Sequence, residues 1–409
     1  MKIRVLPAAL VAIGAAAALG ISMITPAPIA RQTQVTPPQE SRVACQPLGD
    51  GQLIAAGRGK ITAAPFGGEP GNAVEMLTQP AKGLTTLRGV LPTGGVLHPD
   101  GVWASCQAPA TSGQVVWPDA SKAELRLTNP DARDAAVDLV LTGPDGEIQA
   151  LGSRDITLSP GETRQVAVSV LTEGVQGPVS ATWTTSRGRA VAVGVTAGTP
   201  QFAEASTMPD TRHILPGQGK DGKPVVVLAN PGESRASASI VFHSPTSTFT
   251  PAGGEDVTVA PHSVVAVPLD AGTNGDPGAF TVESDQPITT VLFSGSGDVK
   301  GTSGAQAADT SLGGVVPAGA ALQVTNPGEQ VAEATVEIDG ASQQIKVQPG
   351  TTSSVPVPQG AQPARVRVKS SQPVVGAAVT DKGAAVVPLR ADTVEDAKPI
   401  DVQPAPNLH

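Results

Sequence analysis

Few residues in this chain have types and spacings that could do chemistry. The stretch GQGKDGK puts Gly217, Gly222 and Lys223 in the G-x-x-x-x-G-K spacing of a phosphate-binding loop. That loop needs a Ser or Thr next to hold Mg²⁺ and a helix whose N-terminus faces the phosphate. Pro224 follows instead, and then VVVLAN, which reads as a strand. A solvent-exposed turn through Asp221 and Gly222 is the expectation. The histidines, His98, His213, His243, His262 and His409, share no metal-ligand spacing, and His262 reads as a loop residue after Pro261. No G-x-S-x-G elbow is present for a nucleophilic serine. Carboxylate pairs such as Asp131/Asp134 and Glu255/Asp256 lie in polar loops and are expected to be solvated rather than to form a glycosidase pair. Trp117 and Trp183 could stack on a sugar, although in a chain with so few aromatics the core or its rim is the plainer place for Trp103, Trp117 and Trp183. No catalytic, cofactor-binding or metal-binding residue is expected, and the chain reads as not an enzyme.

Cys45 and Cys106 are the only cysteines. In an oxidising compartment such a pair forms a disulfide, and closing the loop between them stabilises by roughly 4 kcal/mol in the chain-entropy model. Two cysteines without a C-x-x-C or a nearby histidine cannot fill a four-ligand metal site.

The elements that carry these residues announce themselves by repetition. LRLTNPDARDAAVDLVLTGPDG begins at Leu125, VVLANPGESRASASIVFHSP at Val226 and LQVTNPGEQVAEATVEIDG at Leu322. The Asn-Pro pairs are Asn129-Pro130, Asn230-Pro231 and Asn326-Pro327, 101 and 96 positions apart. Each is followed by a second landmark in which a proline turn (Pro160, Pro261, Pro349) divides two alternating apolar runs. A third landmark appears as TVESDQPITTVLFSG from Thr281 and VRVKSSQPVVGAAVT from Val366, with a weaker counterpart from Ala181. Such self-similarity marks a tandem duplication.

Asn-Pro suits the first two positions of a β-turn, because proline presets φ and Asn bonds its own backbone, so the pair should terminate strands. The flanking runs alternate with period two, which predicts strands with one face in a core and the other in water. The expected fold class is all-β: tandem immunoglobulin-like antiparallel β-sandwich modules of about a hundred residues each, behind an N-terminal signal or anchor helix. The modules are placed at 110–205, 206–305 and 306–392, after a disulfide-bearing segment at 45–109. Residues 31–44 read as a linker, 294–311 as a flexible connection and 393–409 as an acidic disordered tail.

With 46 Gly, 39 Pro, 2% aromatic residues and no Tyr, each core must be built from Val, Ala, Ile and Leu. The formal charge of -9 and scattered basic residues argue against nucleic acid as a partner, since phosphate tracking needs clustered Lys and Arg. At the N-terminus Lys2 and Arg4 precede an uncharged apolar run from Val5 to Ile24. Its length reaches the roughly 20 residues that span a bilayer, so residues 1–30 are expected to be an uncleaved signal anchor, with a cleaved signal peptide as the alternative. The basic flank keeps the N-terminus inside and sends the rest out. The expected location is therefore a cell membrane, single-pass through residues 5–24 with the C-terminal region outside, or else secretion.

The order of Cys, then Cys-Gln-Ala-Pro, a Trp, LRLTNP, a strand, a GPDG turn and V-x-L-S-P-G-like residues, most specific over 103–170, resembles a family of uncharacterised secreted or membrane-anchored actinobacterial envelope proteins, a domain of unknown function. The resemblance implies a β-rich ectodomain at the cell envelope and, in several genomes, genes beside envelope glycosyltransferases. It carries no assigned catalytic residues. Expected partners are other envelope proteins or cell-wall glycan, and the expected role is a scaffold or adaptor, with glycan binding or an accessory part in glycan synthesis as the alternative.

Overall fold

The structure is a computed structural model that describes residues 33–35, 40–198, 200–205, 207–298, 300–380, 385–393 and 400–402. The signal or anchor segment 1–30 lies outside the described residues. Among the described residues strands dominate, and the helical elements are single turns at Ala120–Lys122, Val168–Leu171 and Asp270–Thr273. The strand pairs among the described residues are antiparallel.

The segment around the cysteines builds its own sheet, in which Glu40–Cys45, Thr85–Val90, Gln52–Pro65, Thr93–Leu97 and Trp103–Ser105 follow one another. The ladder returns to its start. Ala44 and Gln107 exchange backbone hydrogen bonds of 2.7 and 2.9 Å, and the Cys45–Cys106 disulfide sits at that seam. We call this closed sheet the barrel. Leu53 and Ala55 of its longest strand point into its interior, beside Cys45 and Leu87.

Three pairs of sheets follow. In the first, Ser112–Trp117, Val179–Arg187 and Ala135–Gly143 form one layer, and Thr163–Val166, Ala123–Thr128 and Val191–Thr196 the other. Trp117, Leu125, Leu127, Leu139 and Trp183 fill the space between them, so the pair is sandwich-like. In the second and third pairs one long strand serves both layers. Gly278–Ser294 and Ala364–Val379 each run in one sheet, bend, and continue in the other. The bends carry Gln286-Pro287 and Gln372-Pro373, where proline has no N–H to give the ladder. The partner strands register it identically: Asp210 faces Ile288 and Arg212 faces Glu283, while Asp309 faces Val374 and Ser311 faces Lys369. In the first pair the chain breaks at the corresponding place, with Gly188 at φ 73°. This accounts for the weaker third landmark there.

The outer faces of the sheets are not in water where alternation predicts it. Along Val225–Asn230, Val226 and Leu228 enter the core of the second pair, while Val227 and Ala229 enter that of the first. Val291 and Phe293 do likewise, with Phe293 edge-on to Phe202 at 5.0 Å. Val193 and Val195 leave the first pair to pack on the barrel, and Ile54, Ala56 and Trp103 leave the barrel to pack on the third pair. Strands buried on both faces read as continuous apolar runs, as VVVLAN and VAVGV do. Barrel, first, second and third pair thus form a closed circuit, and the described residues between Gln39 and Val394 are one compact unit. The expected flexible connection at 294–311 is instead strand over Gly301–Gly304 and from Asp309 onward, the former paired to the end of Gly278–Ser294. It is structured because it fills the angle between two packed sheet pairs.

Two terminal expectations also change. Thr33–Val35, within the expected linker, and Ile400–Val402, within the expected disordered tail, pair with each other as a separate two-stranded unit. Both are short runs with β-branched residues at alternate positions.

Candidate functional site

The repeated Asn-Pro corners are built alike, and what they do is visible only in three dimensions. Asn129, Asn230 and Asn326 are buried at the ends of Ala123–Thr128, Val225–Asn230 and Ala321–Thr325. Each Oδ1 accepts the backbone N–H two residues on, from Asp131 at 3.0 Å, Gly232 at 2.9 Å and Gly328 at 3.0 Å. Each Nδ2 donates to the carbonyl four residues on, of Arg133, Ser234 and Gln330, at 2.7 to 2.8 Å. The same Nδ2 also reaches a carbonyl in the opposite layer: Leu158 at 3.0 Å, Val259 at 3.2 Å and Val347 at 3.1 Å. One side chain therefore shapes the turn and pins the two sheets together. Pro130, Pro231 and Pro327 stand just past these strand ends, where no ladder N–H is needed.

Opposite each Asn lies the proline turn of the second landmark. Its next residue is left-handed in all three cases: Gly161 (φ 74°), His262 (φ 50°) and Gly350 (φ 68°). His262 lies 3.1 Å from the exposed Glu233 carboxylate. Two of these turns are contact points. A Cβ on Gly161 would meet the Phe66 ring of the barrel at 2.3 Å, and the Gly350 carbonyl takes hydrogen bonds from His243 and Thr248 of the second pair.

Polar side chains close the remaining joints of the circuit. Asp131 joins Arg42 of the barrel to Arg189, whose Nε and Nη2 approach at 2.9 and 2.8 Å. Partial burial raises the Asp131 pKa, but the two guanidinium groups outweigh it and hold the carboxyl below its ordinary 3.8. It is thus an ion-pair centre and not the solvated loop carboxylate expected. Gln323 of the third pair donates to the Gln218 carbonyl of the second at 2.7 Å. Arg365 of the third pair donates to Gly57 O at 2.6 Å, and Arg58 of the barrel to Asp392 O at 3.1 Å.

The residues singled out as sugar platforms do not serve as such. Trp117 is 0% and Trp183 1% exposed, both between the layers of the first pair, and Trp117 Nε1 donates to Val195 O at 3.1 Å. Their rings fill a core that has little else of that size. The 217–223 stretch ends the strand Asp210–Gln218 and then turns, with Asp221 exposed at φ 55° and Gly222, whose N bonds Gly219 O, buried rather than open to solvent as expected. Gly217 is required by its surroundings, since a Cβ there would lie 2.3 Å from Val386 of the third pair. Burial depresses the Lys300 ammonium, with Lys223 adding to the effect and Asp298 opposing it, and its Nζ donates to Gly295 O at 2.9 Å. Among the described residues no group of three His, Cys, Asp or Glu could hold a metal ion. What sequence reasoning missed is a pocket of about 430 Å³ where barrel and sheet pairs meet, with Trp103, Ser105, Val386 and Arg390 among its lining residues. No motif marks it, because its walls come from four distant parts of the chain.

No curated protein and no solved structure matches the chain. The family model that does match covers residues 99–304, about half of the chain, and so takes in the first two Asn-Pro corners together with the joint between them; the chain belongs to this family of unknown function, DUF5719.

Proposed function

We propose that the protein is a non-enzymatic scaffold or adaptor of an actinobacterial cell envelope. In this reading three tandem immunoglobulin-like modules and a disulfide-closed barrel are held outside the membrane by residues 1–30. The observation that carries it is the closed circuit of doubly buried sheets. Modules joined through their cores, rather than strung on linkers, keep fixed spacings between exposed loops, which is what a platform for other proteins needs. The immunoglobulin-like reading is supported by the common plan of the three pairs, each pinned by an Asn between its layers. The export reading is supported by the basic flank and apolar run at the N-terminus, and by a disulfide that suits an oxidising compartment. Among the described residues no helix is long and apolar enough to cross a membrane, so anchoring rests on residues 5–24. Other envelope proteins or cell-wall glycan are the partners in this reading, and nucleic acid is not, given the net charge of -9.

The test is crosslinking in intact cells followed by purification of the tagged full chain. A reproducible set of envelope proteins, lost on deletion of one module and kept in His262→Ala, supports the scaffold. A folded His262→Ala or Glu255→Gln variant with the phenotype of the full deletion contradicts it and points to catalysis.

A further inference from the structure

The strand Ala341–Val347 is the last of its layer in the third pair, bonded on one side to Ala332–Ile338 and, among the described residues, to no strand on the other. Ala341 to Gln344 and Lys346 are exposed. Such an edge presents unpaired N–H and C=O groups and is a ready template for a further strand. Other edges of this protein are blunted. Gly146–Ile148, Thr248–Phe249 and Arg390–Ala391 are two or three residues long, and Val74–Pro80, Ser263–Pro268 and Thr352–Pro356 end in proline. Ala341–Val347 instead runs seven residues in unbroken register with its neighbour and contains no proline.

The turn that opens the strand sets which groups face out. Asp339 (φ 48°) and Gly340 (φ 86°) make a two-residue hairpin loop, so Ile338 and Ala341 beside it are a hydrogen-bonded pair. Bonded and non-bonded pairs alternate from there. Ala341, Gln343 and Ile345 therefore bond inward, while Ser342, Gln344 and Lys346 turn their backbone groups to the free edge. A second Ala341–Val347, laid antiparallel about a twofold axis at Gln344, meets these groups in kind: Gln344 exchanges both bonds with its counterpart, and Ser342 does so with Lys346 of the second copy.

The side chains on the exposed face favour this register. Glu337 stands between Arg367 and Ser342, and Lys346 lies 2.9 Å from Glu333. Across the axis one row then reads Arg367, Glu337, Ser342, followed by Lys346 and Glu333 of the second copy, so that opposite charges alternate across a neutral serine. An axis at Lys346 would set ammonium against ammonium, which is destabilising. An axis at Ser342 would run Gln344 into the Asp339-Gly340 turn.

We propose that the chain forms a twofold homodimer in which the two Ala341–Val347 edges pair antiparallel about Gln344 and join one layer of each third pair into a continuous sheet. The proposal goes beyond the scaffold reading, and its failure leaves that reading standing.

Sedimentation velocity of the full chain in detergent should show a reversible dimer within the range of about 1 to 100 µM. The Gln344 N–H serves no bond within the chain's own sheet, so Gln344→Pro should leave melting unchanged and weaken the dimer at least tenfold. Residues paired on the axis have Cα atoms about 5.5 Å apart, within disulfide reach, so Gln344→Cys should give a covalent dimer on mild oxidation. Ser342→Cys, two positions off the axis, should not. Should Gln344→Pro fail to fold, the two cysteine variants decide. A monomer throughout the range would overturn the proposal and leave the edge to a strand of another protein. A dimer that Gln344→Pro leaves intact, no covalent dimer of Gln344→Cys, or crosslinking of Ser342→Cys as ready as that of Gln344→Cys would overturn it equally.

Discussion

His243 and Gly350, 107 residues apart, are joined by a 3.0 Å hydrogen bond from the imidazole Nδ1 to the glycine carbonyl. The opposite nitrogen, Nε2, accepts from the Thr281 hydroxyl at 2.7 Å, so the neutral ring is satisfied on both sides. Burial holds its pKa below the ordinary 6.5; the Gly350 bond opposes this and the charge of Arg212 adds to it. The unfolded chain therefore takes up a proton near pH 6.5 that the folded chain still refuses. Stability from this group is whole above 6.5 and is lost as pH falls through the window down to the lowered value. Melting curves at pH 7.5 and 5 should show a drop in the wild type that is smaller in His243→Gln, which keeps a donor for Gly350 and does not titrate. Equal drops in both proteins would remove His243 as the source.

The Asn corners should be the most sensitive polar positions. Asn230→Ala removes donors to Ser234 O, Val259 O and Ala260 O, and leaves buried acceptors unmade. At about 1–3 kcal/mol for each buried group left without a partner, a loss of about 2–4 kcal/mol is expected after relaxation, measured by denaturant titration. Asn326→Ala should cost a similar amount. A loss under about 0.5 kcal/mol at either would show that the layers are not pinned there.

His262 offers the reverse effect. It occupies a left-handed position that its two counterparts fill with glycine, and its side chain pairs with the exposed Glu233. His262→Gly should therefore raise stability by about 0.5–1 kcal/mol, because relief of the strained φ outweighs the entropy that glycine adds to the unfolded chain. Gly161→Ala should destabilise, since its Cβ would collide with Phe66 as well as sit at φ 74°. Thermal denaturation of both variants distinguishes the signs.

Reduction of the Cys45–Cys106 bond, which spans 61 positions, should cost about 4 kcal/mol by loop entropy and act first on the barrel seam at Ala44 and Gln107. Hydrogen exchange at the Ala44 and Gln107 amides reads this directly. Protection there that survives reduction would show the seam closing on backbone pairing alone.

How much of this was legible in the sequence differs from element to element. The Asn-Pro pairs, the alternating runs and the cysteine pair are local or repetitive signals, and the strand ends and the disulfide follow them. Alternation in AVDLVL described its strand well, with Val137, Leu139 and Leu141 in the core of the first pair. It could not say that the opposite faces of VVVLAN and of Val193 and Val195 meet other sheet pairs; only the unbroken apolar run hinted at it. Residues 294–311 looked like a linker because Gly and Ser carry no periodicity, yet small residues are what fit between packed sheets. Its Asn-Pro pair marks Asn129 as a turn former, while its bond to Leu158 O is invisible in the sequence because it depends on a partner 29 positions away. The junction pocket left no trace, since Trp103, Ser105, Val386 and Arg390 converge only after the circuit closes.

The central claim is that barrel and three sheet pairs form one body and not separable modules. Differential scanning calorimetry of the full chain tests it most directly. One transition for residues 40–393, with calorimetric and van't Hoff enthalpies in agreement, is the predicted result, and substitution at a joint, as in Gln323→Leu, should shift that single transition without splitting it. Three or four resolved transitions, each with the enthalpy of about a hundred residues, would contradict the account and return the chain to independent modules on linkers.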